Sequence, residues 1–586
     1  MSISLPGEGS PIRAVLREAP WTLGALALLV GAGVGLGSIA FRRLIEMFTR
    51  LFSGHADYAA AGGAANGHLS WFGPYFVLLA PVVGGLLYGP LVDRYAKEAR
   101  GHGVPEVMLA VAQRGGRIDP RVSVVKALAS ALCIGSGGSV GREGPIVQIG
   151  SALGSTVGQL ARTTEHRMRL LVACGAAGGI AAIFNAPLAG VFFAMELILR
   201  DFTVEAFGAV VLSGVTAGLI GRAAFGNTAF LTLAPLHVDH IAQFPLFALL
   251  GITAGAVGVG FTRVLYLVED VCDWAWRGPE WLRPAAGGLL LGALLLVLPE
   301  MYGVGHSVLE KAVGGGYLPA FLLLLLVGKI LATSLTIGIG GSGGVFAPSL
   351  FIGAMLGSAY GDVAHRLLPG TAGSTGAYAL VGMGAVFAGA SRAPITAAVI
   401  LFELTGEYTI ILPLMLAVVL ATLTGRLLSR DTIYTLKLRR RGIDITTPPP
   451  RFGGRSVAAV MENAPDPLPA STELTEAAER LNLPGRGVPL PVVGSSGRFL
   501  GVVDASQVAR ALAEETGDGL EPPPTVGQIA APTASVTADM PLSAAVPVLV
   551  SARGTPVPVL DPGRHRLVGW LTPHAALRAL GVPASA

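Results

Sequence analysis

The stretch GSVGREGPIVQIGSALGS, Gly138 to Ser155, returns as GSGGVFAPSLFIGAMLGS, Gly341 to Ser358, and one offset of 203 residues aligns Pro145 with Pro348, Gly150 with Gly353 and Gly154 with Gly357. A second pair, GAAGGIAAIFNAPLAGVFFAMEL (Gly175 to Leu197) and GMGAVFAGASRAPITAAVILFEL (Gly382 to Leu404), follows at an offset of 207 and aligns Pro187 with Pro394 and Glu196 with Glu403. The chain therefore carries its apolar portion twice. Internal duplication of this kind marks a transporter-type architecture, with the solute site near the bilayer midplane where the repeats meet.

Composition agrees. Of 586 residues, 52% are hydrophobic and 13% charged, against roughly 25% charged in a soluble domain. Apolar runs long enough for about 30 Å of hydrocarbon cover Trp21 to Phe41, Trp71 to Val92, Phe202 to Ile220, Phe244 to Val268, Leu318 to Ile337 and Ile411 to Leu428; others, such as Ala285 to Leu298, are short or interrupted. The 81 glycines predict closely packed, often broken membrane helices. Cys133, Cys174 and Cys272 lie far apart and read as buried thiols, and no metal-ligand spacing appears. The first 20 residues lack the pattern of a cleaved signal peptide. Arg13 and Arg17 before the first span, and Lys437, Arg439, Arg440 and Arg441 after the last, place both termini in the cytoplasm; Arg42, Arg43 and Arg50 argue the other way. Five lysines against 36 arginines hint at a GC-rich bacterial genome, hence an inner-membrane location.

After Arg441 the texture changes to Pro-rich turns and short alternating strands. Residues 441–454 form a linker. Two similar units follow, 455–513 and 525–582, each ordered as helix start, strand, helix, two strands, helix: LTEAAERLN, VPLPVVGSSGRFLGVVD and ASQVARALAEE in the first, PLSAAVPVLVSARG, TPVPVLDPGRHRLVGWLT and PHAALRAL in the second. This tail resembles a pair of CBS domains. In CBS pairs that bind adenosine nucleotides, a Thr after the second strand is followed three residues on by an Asp for the ribose hydroxyls. The matching positions here are Asp504 with Gln507 and Thr572 with Ala575. Neither copy keeps the Asp, so the tail reads first as a dimerising cytoplasmic scaffold and only second as a nucleotide site.

The loops of the duplicated part carry the chemistry. In GREGP and GGVFAP, glycines let the backbone turn sharply and approach a ligand, and Pro145 and Pro348 suit the first turn of a helix whose free amides point back at the loop. Two such starts from two repeats can face each other and attract an anion with N–H groups and positive dipole ends. GHGVPEV, Gly101 to Val107, has the same grammar. A carboxylate inside an apolar segment is costly and by default functional. Glu143, at a helix start, occupies the place an anion would take, and protonation would release it.

These residues resemble the CLC family of chloride channels and chloride/proton exchangers over about residues 20 to 440: GHGVP for the family's GSGIP, GREGP intact, GGVFAP for its GxFxP, FNAPLAG intact, and Tyr434 just past the last span. The resemblance implies an all-α polytopic membrane protein with inverted-topology repeats (about 72–222 and 280–430 within a transmembrane domain of 21–440) and broken helices. It further implies a homodimer in the lipid bilayer with a pore in each subunit. By the same resemblance Glu143 is the gate, and His102, Gly103, Arg142, Gly144, Val345, Phe346 and Tyr434 make the anion site. Lys126, seventeen residues before Glu143, adds positive potential. The implied partner is chloride or another small anion; no cofactor, metal or nucleic acid is expected.

Two departures stand out. His102 replaces the family's central serine; its imidazole can donate an N–H to an anion or turn away, leaving backbone donors. In exchangers the helix after NAPLAG ends in two glutamates, the second of which passes protons to the cytoplasm; here the pair is Glu196 and Leu197. Leucine carries no proton, which favours passive conduction over the alternative, proton-coupled exchange. A membrane enzyme would need a nucleophile with a base or metal cluster, and no paired intramembrane aspartates, HExxH or Gly-x-Ser-x-Gly appear. A CBS-tailed cation transporter would need acidic pathway residues, and the apolar segments are nearly free of aspartate. A fluoride exporter would be expected to depart from GREGP.

Overall fold

The computed structural model describes residues 20–68, 70–226, 240–445, 456–481, 489–514, 524–552, 554–563 and 565–579. Arg13, Arg17 and most of the 441–454 linker lie outside them. The chain divides into two units, Met1–Ile445 and Thr446–Ala586.

The first unit is helical, and its helices pair by position in the two repeats. After α1 (Pro20–Ser53) come α2 (Phe76–Tyr95), α3 (Val104–Gln113), α4 (Arg121–Gly135), α5 (Glu143–Leu160), α6 (Glu165–Phe184), α7 (Pro187–Phe193, prolonged by a wide turn over Ala194–Leu199) and α8 (Val204–Phe225). The order recurs as α9 (Phe244–Ala275), α10 (Arg283–Val297), α11 (His306–Val313), α12 (Pro319–Gly338), α13 (Phe346–Leu367), α14 (Thr375–Ser391), α15 (Pro394–Thr405) and α16 (Ile411–Leu428), and α17 (Thr435–Arg440) closes the unit.

Among the described residues, seven helices are long and apolar enough to span a bilayer. Six coincide with the runs read from the sequence to within two residues at their starts or extend beyond them. The seventh, α6, was missed because it opens on Glu165, His166, Arg167 and Arg169 and continues through small residues. Its spanning window is 94% buried in the protein, so it needs no lipid-facing leucines. The lipid-facing side chains come from helices such as α1, α12 and α16, where Leu28, Leu36, Leu323, Leu412 and Leu427 are exposed.

Glycine sets the packing. A Cβ on Gly150 would run into the carbonyl of Gly175, and one on Gly175 into that of Gly150; in the second repeat Gly353 and Gly382 exclude each other in the same way. The duplicated motifs are therefore the contact surfaces of α5 with α6 and of α13 with α14. Without a hydrophobic driving force between helices in lipid, such backbone approach supplies dispersion contacts that larger residues would prevent. Gly31 and Gly35 of α1 likewise meet Ser213 and Ala217 of α8, as Gly251 and Gly255 of α9 meet Ala417 and Ala421 of α16. α1 and α9 thus occupy corresponding places in the two repeats, which begin a helix earlier than the bounds of about 72–222 and 280–430 expected from the sequence. Cys133, Cys174 and Cys272 are free thiols.

The second unit contains two three-stranded sheets. In the first, β1 (Leu468–Pro469) pairs in parallel with β2 (Leu490–Val493), which pairs antiparallel with β3 (Phe499–Val503); β4 (Val536–Thr537), β5 (Val557–Leu560) and β6 (Leu567–Leu571) repeat the order. α18 (Leu474–Leu481) and α19 (Ala505–Glu514) belong to the first copy, α20 (Val526–Ile529) precedes the second sheet, and α21 (Leu542–Ser551) and α22 (Pro573–Ala579) belong to the second copy. The two cores exchange their leading segments: Leu468, Leu474, Val492 and Val503 pack with Val526 of the second copy, and Val536, Leu542, Val559 and Leu571 pack with Val457 of the first.

Asp504 and Thr572, the two positions compared with nucleotide-binding residues, act as helix caps. Asp504 Oδ1 accepts the Gln507 N–H at 2.8 Å while Gln507 Oε1 accepts the Asp504 N–H at 2.8 Å, a reciprocal arrangement that satisfies orphan amides. Thr572 Oγ1 accepts the Ala575 N–H at 3.0 Å and donates to Glu462 Oε2 at 3.0 Å.

Candidate anion pathway

Three glycine loops cross where the repeats meet. Gly141 and Gly344 exchange backbone hydrogen bonds, the Gly141 N–H to the Gly344 carbonyl at 2.8 Å and the Gly344 N–H to the Gly141 carbonyl at 2.6 Å. On the other side of that loop the Gly101 N–H donates to the Gly341 carbonyl at 3.1 Å and the Gly343 N–H to the Gly101 carbonyl at 3.3 Å. The crossing admits no side chain at several positions. A Cβ on Gly144 would collide with the His102 carbonyl, one on Gly141 with the Glu143 carboxylate, and one on Gly344 would lie 2.7 Å from the Gly144 nitrogen. Gly103, at φ 82°, adopts a conformation that suits glycine alone.

From this crossing α3, α5 and α13 start, so their first amides converge. Glu143 opens α5 and is 1% exposed. Its Oε2 accepts the Ala347 N–H, in the first turn of α13, at 3.3 Å, and its Oε1 has no hydrogen-bond partner. A carboxylate from one repeat therefore sits on the helix start of the other. The sequence pointed to the amides of Val345 and Phe346; the one that meets Glu143 belongs to the next residue of the same GGVFAP motif. Val345 and Phe346 are buried beside it, and the Phe346 ring packs on Phe184 and Phe387 at 5.7 and 4.5 Å between centroids.

His102 is fully buried, its ring edge-on to Tyr266 at 6.1 Å, and neither ring nitrogen has a hydrogen-bond partner. Tyr266 is fixed by donating to the Ile433 carbonyl at 2.7 Å, immediately before Tyr434. Tyr434 is 1% exposed, too buried for a membrane-surface anchor. Arg142 precedes α5 with its guanidinium 5.7 Å from the Phe184 ring centroid.

Lys126 is fully buried and donates to the carbonyls of Ala99 at 2.8 Å and Gly101 at 2.7 Å. It is both a positive charge beneath the first loop and the clamp that sets its shape. Sequence reasoning missed its counterpart: Lys329, also fully buried, donates to Ser139 Oγ at 2.9 Å and to the carbonyls of Gly303 at 3.1 Å and Val304 at 3.3 Å. The 203-residue offset leads from Lys126 to Lys329 and would have found it. With it comes a fourth loop, Gly303 to Gly305, ahead of α11, whose Gly303 and Gly305 have positive φ as Gly101 and Gly103 do.

Leu197 is 6% exposed in the wide turn after α7. Glu196 is engaged elsewhere: it accepts the Ile395 N–H at 3.2 Å, the Thr396 N–H at 2.8 Å and the Thr396 hydroxyl at 2.6 Å, at the start of α15. Glu403 returns the contact, accepting from the Leu188 and Ala189 N–H groups at 2.9 and 2.6 Å at the start of α7. The two glutamates are crossed caps joining the repeats.

Cavities approach the crossing from Gly101 and from Arg142. The first, about 490 Å³, is lined by Gly101, Tyr266, Lys437 and Arg440 among others, and the second, about 210 Å³, by Arg142, Phe184 and Val304 among others.

Residues 84–426 match the family described as voltage gated chloride channel, and residues 457–514 match the CBS domain. A Ralstonia nicotianae protein named "Putative chloride channel protein ClcB-like" is 37% identical over 433 residues, 73% of this chain and 99% of its own. The Vibrio cholerae H(+)/Cl(-) exchange transporter ClcA is 34% identical over 429 residues, 72% of this chain and 90% of its own. Among solved structures, a slow cyanobacterial Cl-/H+ antiporter superposes with a TM-score of 0.65 at 28% identity, covering 72% of this chain and 97% of its own. A eukaryotic CLC transporter shares the fold over 96% of this chain and 98% of its own, with a TM-score of 0.62 at 23% identity. With duplicated helix starts, a buried glutamate at their crossing and a CBS tail, this chain belongs to the voltage gated chloride channel (CLC) family, whose members are membrane transport proteins and not enzymes.

Proposed function

We propose that the chain passes chloride or a similar small anion across the bacterial inner membrane as a homodimer with one pathway per subunit, gated by Glu143 and uncoupled from protons. The observation that carries the gate is the Glu143 carboxylate on the Ala347 N–H at 3.3 Å. An amide at a helix start is an anion donor, and a carboxylate there competes with the transported ion until protonation frees the site. His102, with two unpartnered ring nitrogens, and Tyr434 provide side-chain donors at the central position. Burying an imidazole without a partner costs about 1–3 kcal/mol, and an anion beside it offsets that cost. The uncoupled reading rests on Leu197, which has no proton to give, and on Glu196, whose oxygens are committed to α15.

Proton-coupled exchange is the second reading, favoured by the name of the Vibrio cholerae relative. In the CBS pair, capping by Asp504 and Thr572 supports a scaffold in preference to an adenosine-nucleotide site.

The test of the gate is chloride flux from liposomes holding Glu143→Gln. The expected result is acid-activated flux in the unsubstituted protein, and faster flux at neutral pH without that activation in the variant. Equal flux and an equal pH response in the two would remove Glu143 from the gate.

A further inference from the structure

Arg42, Arg43 and Arg50 oppose the positive-inside tendency, and the transport reading leaves them without a role. The structure gives Arg42 a place. It lines the smaller cavity with Arg142, Arg222, His306, Phe184 and Phe225. These groups come from five separate parts of the fold: the far half of α1, the start of α5, the end of α6, the last turn of α8 and the start of α11.

Each of the three guanidiniums is oriented from one side. Arg42 Nε donates to Glu46 Oε1 at 3.1 Å and its guanidinium lies 4.1 Å from the Phe225 ring centroid. Arg222 Nε donates to Asn185 Oδ1, Asn185 being the left-handed residue that ends α6. Arg142 rests near the Phe184 ring, and its buried Nε has no hydrogen-bond partner. A guanidinium carries five N–H donors in a fixed fork, so a single positioning bond leaves most of them for a ligand.

The charge balance separates this cavity from the other one. In the larger cavity six cationic residues, Lys97, Arg100, Arg283, Lys437, Arg440 and Arg441, face five carboxylates, Asp93, Glu269, Asp270, Asp273 and Glu280. Several are paired there, among them Arg100 with Glu280 at 2.6 Å and Arg440 with Asp270 at 2.7 Å. Among the described residues no carboxylate lines the smaller cavity. Glu46 and Glu310 lie just behind its wall, on Arg42 at 3.1 Å and on His306 at 3.6 Å. Three arginines converging on a partly open space without an acidic lining make an anion the complementary occupant.

We propose that this cavity is an anion-loading site, separate from the position held by Glu143, in which Arg42, Arg142 and Arg222 concentrate a small monovalent anion such as chloride before it reaches the gate. The proposal rests on the reading of Glu143 as the gate. It accounts for Arg42 at the end of α1 as a binding group placed against the topological tendency. A volume of about 210 Å³ exceeds that of bare chloride, so the ion enters with part of its water. The site acts by raising local concentration, an effect that salt screens.

The experiment compares the unsubstituted protein with Arg222→Gln, Arg222→Lys and the double variant Arg42→Gln/Arg222→Gln in liposomes. Chloride is varied on one face at a time, with ionic strength held constant by an impermeant anion. For entry from the Arg142 face, half-saturating chloride is expected to rise about three- to tenfold in the double variant, by less in Arg222→Gln, and to stay near its original value in Arg222→Lys. Half-saturation from the opposite face is expected to move far less. An equal rise on both faces, or no rise in a double variant that elutes as the native dimer, overturns the loading site. Arg222 is exposed, so the single variant carries the test if the double variant fails to fold. Absence of chloride flux in the unsubstituted protein would be a different failure, that of the transport reading itself.

Discussion

Lys126 and Lys329, 203 positions apart, clamp equivalent loops in the two repeats: each is fully buried and each donates to two backbone carbonyls, those of Ala99 and Gly101 for Lys126 and those of Gly303 and Val304 for Lys329. A buried ammonium is costly unless its three donors find partners. Here the partners are carbonyls of the glycine loops; that of Gly101 is shared with the Gly343 N–H and that of Ala99 with the Ser342 hydroxyl. The positive charge near the pathway is thus obtained from a group that also fixes its geometry.

Replacing either lysine by methionine keeps the length of the side chain and removes the donors. Each of Lys126→Met and Lys329→Met is expected to destabilise the membrane unit by about 1.5–3 kcal/mol, read from denaturation of the detergent-solubilised protein. A change below about 0.5 kcal/mol, the usual scatter of surface substitutions, would contradict the clamp.

His102→Ser exchanges a buried imidazole for the hydroxyl found in the family motif. If the imidazole N–H faces the anion, the ratio of chloride to nitrate permeability is expected to shift by about two- to tenfold, the range of one net hydrogen bond. Bi-ionic reversal potentials measure it. An unchanged ratio would place the ring away from the ion and leave backbone amides as the donors.

Glycines at the motif contacts and glycines elsewhere should respond in opposite directions. Gly150→Ala and Gly353→Ala put a methyl against a facing carbonyl and are expected to cost about 1–3 kcal/mol each. A Cβ on Gly260, within α9, meets nothing within 4 Å, so Gly260→Ala is expected to be neutral or to stabilise by up to about 1 kcal/mol. Equal effects at the three sites, by thermal denaturation, would show that close packing does not explain the repeat glycines.

In the tail, the hydroxyl of Ser506 and the N–H of Gln507 hold the Asp504 carboxyl below the usual aspartate range. A depressed folded-state value means that the charged cap stabilises α19 above the unfolded-state value near 3.9, and that this stabilisation is lost as pH falls through the folded-state value. At neutral pH Asp504→Ala is expected to cost about 1 kcal/mol locally. Hydrogen exchange at the α19 amides in the full chain reads it as faster exchange. Unaltered exchange would sink the cap.

The duplication, the glycine loops and Glu143 were legible because each imposes a local pattern: proline at a helix start, glycine where backbones touch, a lone carboxylate in an apolar run. What escaped depends on partners distant in sequence. α6 escaped because burial against protein replaces the leucines that hydropathy detects. The loop Gly303 to Gly305 escaped because no proline follows it, although Gly303 and Gly305 turn as Gly101 and Gly103 do. Glu196 could be suspected of a structural role from its match with Glu403, but the crossed caps need the folded position of α7 and α15. Arg42 was visible only as a charge on the unexpected side of a span; its cavity is assembled from five parts of the chain that no local pattern joins.

The measurement that tests the account most directly is the zero-current voltage of the purified protein in liposomes under a chloride gradient, repeated with an imposed proton gradient. With Leu197 at the proton position and Glu196 committed to α15, the voltage is expected to follow the chloride gradient alone. A shift with the proton gradient would contradict uncoupled conduction and establish exchange through a proton route that does not use those two residues.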